Sequence, residues 1–203
     1  MEIIRFALLG LATGAIYAVL AQGLVLVYRG SGLLNFSQGA MAMVGAYVYY
    51  ELAVEAKLPL VVALIGAIAF CAALGVAIHY VLLGPMHRSS PLSRVIVTLG
   101  LLVVFQSAAL IIWGVNPLAV PSLLPTTTVH VFSQQLPLGE DRIFIFAIGL
   151  VLTVALWWLY RASSFGRVTT AVAENQLVAA SLGHSPDRVA AANWALGSAL
   201  AAL

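Results

Sequence analysis

Charge is what this chain of 203 residues has least of: Asp, Glu, Lys and Arg together make up 8% of it, and the formal net charge is +2. Charges so few and so evenly matched supply no basic surface for nucleic acid. Cys71 is the only cysteine and lies in an apolar run, which excludes an internal disulfide and a thiolate metal cluster. The one lysine, Lys57, is followed by Leu58, so the Lys-Ser/Thr pair of a P-loop is missing and the chain does not bind ATP through one. Neither HExxH nor GxSxG occurs. The four histidines, His79, His87, His130 and His184, are scattered, so no metal-hydrolase or nucleophile-elbow chemistry is encoded. No catalytic residue, metal ligand or cofactor is expected in the chain, which is expected not to be an enzyme.

What the chain has in place of charge is apolar sequence. Hydrophobic residues reach 63% and the mean hydropathy is +1.06, far above a soluble domain of ordinary composition. The fold class is all-α, a polytopic transmembrane helical bundle, treated as one domain over 1–203. The first apolar run, Ile3 to Tyr28, exceeds the roughly 20 residues a span needs. A second span follows almost at once, so the run is read as a retained helix and not a cleaved signal peptide. Gly10, Gly14 and Ala18 form a small-xxx-small face suited to close helix packing.

Arg29, Gly30, Ser31 and Gly32 predict a break, with the second span from about Leu33 to Ala53. Glu51, Glu55, Lys57 and Pro59 mark a short polar connection. The third span runs from Leu60 to Leu83, with Ala63, Ala67, Cys71 and Gly75 repeating every four residues as a packing seam. A basic loop holding Pro85, His87, Arg88, Pro91 and Arg94 leads to the fourth span, Val95 to Trp113, whose polar residues are Thr98, Gln106 and Ser107. Asn116 to Arg142, with four prolines and a threonine run, fits short strands or an extended loop better than helix. The fifth span is Ile143 to Tyr160, closed by Trp157, Trp158 and Tyr160 in the manner of an interfacial aromatic belt. Arg88 and Arg94 in one connection, with Arg161, Arg167 and Arg188 in another, put both loops on the cytoplasmic side. Arg29 agrees with this orientation, and Arg5 and Arg142 run against it.

Two stretches carry the functional signal. In Ser31 to Tyr50, helical steps of three and four align Asn35, Gln38, Ala42, Gly45 and Tyr49 on one side. Amides are costly in hydrocarbon, so this face looks at other helices or at a watery path. Asn35 and Gln38 can hydrogen-bond between helices, line such a path, or do both; Gln22 and Gln106 are weaker candidates for the same interior. Met41 and Met43 read as packing residues, and Tyr17, Tyr47 and Tyr49 as rim or packing residues. The second stretch follows the fifth span. Val168, Val172, Ala179 and Leu182 form an apolar stripe of a short surface helix that Gly183 stops. Ser185 caps the next helix, with Pro186 at its first position and Asp187 facing the helix dipole. A sixth span begins near Val189 and is cut at Leu203, so the bundle is expected to be incomplete at its C-terminus.

GLATGAIYAVLAQGLVLVYRGSGLLNFSQGAMAMVGAY and GRVTTAVAENQLVAASLGHSPDRVAAANWALGSALA, in that order, resemble the membrane permease family of branched-chain amino acid ABC transporters, which includes urea and short-chain amide permeases. The resemblance covers most of the chain, and family permeases typically run longer. It implies a multi-pass subunit of a bacterial-type inner membrane. The implied partners are a second permease subunit, ABC ATPase subunits that carry ATP and Mg, a periplasmic solute-binding protein and membrane lipid, with no nucleic acid. It further implies that residues 161–188 are a cytoplasmic coupling segment, with Ala173, Glu174, Asn175, Ala179, Ala180, Leu182 and Gly183 at the positions that dock on the ATPase. Leu177 and Val178 depart from the commoner Glu-Ala pair, which leaves Glu174 and Asp187 as the nearby acidic residues. Without the resemblance the same segment reads as a solvated connector. The function expected is alternating-access uptake of branched-chain amino acids driven by ATP on the partners. The absence of Asp or Glu from the span interiors agrees with an external energy source. A urea or amide permease of the same family, a self-sufficient solute channel and a membrane scaffold without transport are the alternatives.

Overall fold

The computed structural model describes residues 2–86, 89–120, 128–131 and 134–203, with the backbone alone described for 2–9, 11–12, 128–131 and 134–143. Eight helices occur among the described residues: α1 (Glu2–Ser31), α2 (Gln38–Tyr50), α3 (Leu60–Ile78), α4 (Pro91–Trp113), α5 (Glu140–Ala162), α6 (Ser164–Glu174), α7 (Gln176–Ser181) and α8 (Pro186–Ala201). Wider π-type turns extend α2 through Glu51–Glu55 and α3 through His79–Leu83. Strands β1 (Thr128–Val131) and β2 (Gln134–Gly139) pair antiparallel within the long connection before α5, where the prolines and threonines favour extended chain. His87, Arg88 and the threonines 126 and 127 lie outside the described residues.

Leu60–Met86, Pro91–Trp113 and Phe144–Ala162 are long and apolar enough to cross a membrane, in agreement with the third, fourth and fifth expected spans. Large apolar side chains on α4 (Ile96, Val103, Val104, Ile111) and α5 (Val151, Val154, Trp157, Trp158) face outward, as a lipid-facing surface requires. Gln106 and Ser107 also sit on the outward face of α4, so Gln106 is not part of the interior.

Helix α8 runs through the middle of the bundle, between α1 and α3. Trp194 anchors the core together with Val27, Leu33, Met41, Ile78, Leu83 and Ala201. The expected seam on α3 is present, since Ala63, Ala67, Cys71 and Gly75 are all buried. A Cβ on Gly75 would collide with Ser198 Oγ and would lie 2.6 Å from the Trp194 carbonyl. Small residues there let α3 and α8 approach until backbone touches side chain. The seam on α1 is not the expected one. Gly10, Gly14 and Ala18 point outward, and the helix packs instead through Ala15, Val19, Gly23, Val27 and Gly30, a row displaced by one residue.

Two local expectations are corrected. Helix α1 does not stop at Arg29: it continues to Ser31, and the break is Gly32–Ser37, entered at Gly32 with φ +68°. Gly30 is within the helix, and its missing side chain makes room for Asn193, which a Cβ would strike. Tyr160 is not in the aromatic belt with Trp157 and Trp158. It turns inward, and its hydroxyl donates to Asn193 Oδ1.

Candidate functional site

Because the break ends at Ser37, Asn35 is not on a helix with Gln38 as its spacing suggested. It sits in the irregular segment ahead of α2. That segment lies well inside the bundle, since Phe36 N donates to Thr98 Oγ1 at 3.3 Å. Thr98 is seven residues into α4, about 10 Å along its axis. Irregular backbone at such a depth is tolerated only where protein satisfies it or a cavity adjoins it, and both conditions hold here.

The satisfying groups are specific. Asn35 Oδ1 accepts from Ser37 N at 3.0 Å and from Ser37 Oγ at 2.6 Å, a side-chain turn of the kind Asn favours. Asn35 Nδ2 donates to Gln38 Oε1 at 3.1 Å. Gln38 Nε2 then donates to the carbonyl of Gly197 on α8 at 2.9 Å. With exposures of 1% and 6%, Asn35 and Gln38 are inside the protein, and in this conformation their amides bond to protein. Gln38 makes the interhelical bond that its sequence position left open, and Asn35 bonds within its own segment, to Ser37 and Gln38. A Cβ on Gly23 of α1 would strike Gln38 and lie 2.7 Å from the Gly197 carbonyl. The break is therefore wedged between α1 and α8.

Two cavities border the α1 and α2 pair and share Leu20. One, of about 300 Å³, is lined by Leu20, Ala21, Leu24, Leu34, Asn35, Phe36, Gln38 and Gly39, at the start of α2. The other, of about 630 Å³, reaches Ala42, Ala46 and Tyr49 on α2 and Ile16, Val19 and Leu20 on α1, with Leu64, Ile145 and Ile148 opposite. The five residues expected on one side thus divide. Asn35 and Gln38 border the first cavity, Ala42 and Tyr49 the second, and Gly45 packs against α8, where a Cβ would lie 2.7 Å from Ala202 Cβ. Tyr47 stacks on Trp113 at 4.4 Å, and Trp113 Nε1 donates to Glu51 Oε1 at 2.6 Å, which ties the far end of α2 to α4. Gln22 is bonded to Thr153 of α5 at 2.7 Å.

The segment after α5 is two helices where the sequence suggested one. Asn175 adopts an extended conformation, φ −156° and ψ 105°, and its Oδ1 accepts from Leu177 N and Val178 N, capping α7. Gly183, at φ +85°, closes α7: its N–H meets the Ala180 carbonyl at 3.0 Å, and His184 N meets that of Ala179 at 3.1 Å. This is the paired closure that a left-handed glycine permits. Ser185 Oγ accepts from Arg188 N as the expected cap of α8. Val172, Ala179 and Val189 form a small core with Val168, so three of the four stripe residues pack. Leu182 does not, being 70% exposed, and Leu177 at 83% and Val178 stand out beside it. Ala173, Glu174, Asn175, Ala180 and Gly183 are exposed as well.

This segment lies at one end of the bundle with the α3–α4 connection. Gly30 to Leu33, His79, Leu83, Arg94, Gln176, Pro186, Asp187 and Ala190 surround a further cavity of about 300 Å³. The two arginine-bearing connections therefore share a side, as the charge distribution implied. Sequence reasoning missed Asn193, Gly197 and Ser198 on α8, although Asn193 and Gly197, a step of four apart in an apolar helix, were a legible signal. It also missed Thr169, which lies on the buried side of α6.

A bundle of apolar helices, three of them long and apolar enough to cross a membrane, defines a multi-span membrane protein. Residues 6–203 match the family model described as the branched-chain amino acid transport system permease component, and the chain belongs to that family. It is 29% identical over 204 residues to the high-affinity branched-chain amino acid transport system permease protein LivH of Escherichia coli (strain K12). It is 30% identical over 212 residues to LivH of Salmonella typhimurium, and 28% identical over 204 residues to BraD of Pseudomonas aeruginosa. Each match covers 96% of this chain and 66% of the relative, so the chain spans about two thirds of the length of the curated relatives it matches. No solved structure matches.

Proposed function

We propose that the chain is a permease subunit of an ATP-driven importer that moves branched-chain amino acids across a bacterial inner membrane by alternating access. The observation that carries this reading is the broken crossing. Discontinuous helices whose free ends meet a cavity are the usual solute-handling element of transporters, and here the break borders a space large enough for a small amino acid. The lining favours one class of solute within the family. Leucine, isoleucine and valine side chains make up most of the larger cavity, and Leu20, Leu24, Leu34 and Phe36 stand beside the two amides in the smaller one, a surface that suits a branched aliphatic side chain better than urea or a small amide.

In this reading Asn35 and Gln38 release their bonds to Ser37 and Gly197 when the spans rearrange and then face the solute. Selectivity comes from a periplasmic binding protein. ATP and Mg bind partner ATPases, which dock on Leu177, Val178 and Leu182 with Glu174 and Asp187 beside them, and a second permease completes the path. Purification from the native membrane followed by mass spectrometry tests this. The expected result is recovery of ATPase subunits and a second permease, lost when residues 174–183 are replaced by a flexible linker. Recovery of the protein alone, in a form that passes leucine in liposomes, would replace the reading with a channel.

A further inference from the structure

Asn193 is 0% exposed in the middle of α8, and its side chain bonds to two other helices. Its Oδ1 accepts from the Tyr160 hydroxyl of α5. Its Nδ2 donates to the Val189 carbonyl at 2.8 Å and to Thr169 Oγ1 of α6 at 3.4 Å. An amide has two N–H donors, and both are engaged. The fourth element is α1: a Cβ on Gly30 would collide with the Asn193 side chain, and the preceding residue, Arg29, holds its guanidinium 5.4 Å from the centre of the Tyr160 ring.

Leucine would fill such a position without the cost of burying an amide, so the polar node has to be explained by what it connects. On one side is α6, which begins the segment assigned to ATPase docking. On the other is the last turn of α1, which runs within two residues into the Gly32–Ser37 break and so to Asn35. There is no slack between Gly30 and Asn193. The three bonds to Asn193 are directional, so a shift of α6 cannot be absorbed by sliding as it can across an apolar contact. We propose that Thr169, Asn193 and Tyr160 form a relay that carries movement of the coupling segment to the end of α1 and thereby opens the Asn35–Gln38 break. Asn193 is a positioning residue in this scheme and touches no solute. The inference rests on the importer reading above.

The test uses the whole complex reconstituted in liposomes and reads leucine taken up per ATP hydrolysed. A residue that merely supports the fold lowers uptake and hydrolysis together and leaves that ratio unchanged. Tyr160→Phe and Thr169→Val each remove one hydroxyl with little change of shape. The relay predicts that each lowers the ratio about fivefold or more, the scale of an ordinary coupling free energy, while hydrolysis persists. Thr169→Ser, which keeps the hydroxyl, restores the ratio. A parallel fall of uptake and hydrolysis, or an unchanged ratio in both hydroxyl-less variants, overturns the relay and leaves the importer intact. A wild-type complex without ATP-coupled uptake overturns the importer reading and the relay with it.

Discussion

Gln38 and Gly197 are 159 residues apart in the chain, yet the Gln38 amide donates to the Gly197 carbonyl at 2.9 Å in the core of the bundle. The bond holds the start of α2 against α8, and α8 in turn contacts α1 and α3. Gln38→Leu leaves the Gly197 carbonyl and one Asn35 N–H buried without these partners, at a cost of about 1–3 kcal/mol. Thermal unfolding of the purified protein in detergent should show a lower midpoint. In the assembled transporter, leucine uptake should fall for both Gln38→Leu and Asn35→Leu; unchanged uptake in a folded complex would remove these residues from the path.

Thr98 ties α4 to the break, accepting from Phe36 N while donating to the Val95 carbonyl at 2.8 Å. Thr98→Val should expose the break to exchange, because Phe36 loses its acceptor, whereas Thr98→Ser should not. Amide hydrogen exchange across residues 32–38 distinguishes the two: faster exchange in the valine variant alone is the expected pattern.

Close helix approach predicts which glycines tolerate a side chain. Gly75→Val drives two methyl groups toward Ser198 and the Trp194 carbonyl and should cost about 1–3 kcal/mol or more by overpacking. Gly100 has no atom within 4 Å of its added Cβ, so Gly100→Ala should behave as an ordinary surface change, within about 0.5 kcal/mol. Yield of monodisperse protein and the unfolding midpoint report both.

In the surface segment, folding and the proposed docking can be tested apart. Asn175→Ala removes the cap on Leu177 N and Val178 N, a loss of about 1 kcal/mol, and should raise proteolytic cleavage near α7. Leu177→Glu and Leu182→Glu change exposed side chains that support no core. They should leave the unfolding midpoint alone while reducing recovery of the ATPase partner severalfold in co-purification.

The spans were legible because apolar length is written directly into composition: α3, α4 and α5 fall within a few residues of where their apolar runs lie. The seam of Ala63, Ala67, Cys71 and Gly75 was legible for a similar reason, since spacing by four in a long helix marks one face. The break was misplaced because glycine was weighed by its own flexibility. Gly30 stays within α1 and leaves room for Asn193, a contact with a residue far along the chain that nothing around Gly30 announces. Asn35 was singled out correctly as a buried amide and placed wrongly on a helix, because its bond to Ser37 competes with helix formation and wins. Gly10 and Gly14 had the pattern of a packing face, but α1 turns that face outward to let Gly23 and Gly30 meet Gln38 and Asn193. Tyr160 looked like a belt residue from its neighbours, and only its bond to Asn193 shows that it turns inward.

In the importer proposed above, solute crosses only when ATPase partners act on this subunit. Leucine flux into liposomes, measured with the purified protein alone and with the co-purified complex supplied with ATP on the nucleotide-binding side, tests it most directly. An importer gives flux in the second case, abolished by withholding ATP, and none in the first. Steady leucine flux through the protein alone, indifferent to ATP, would contradict it.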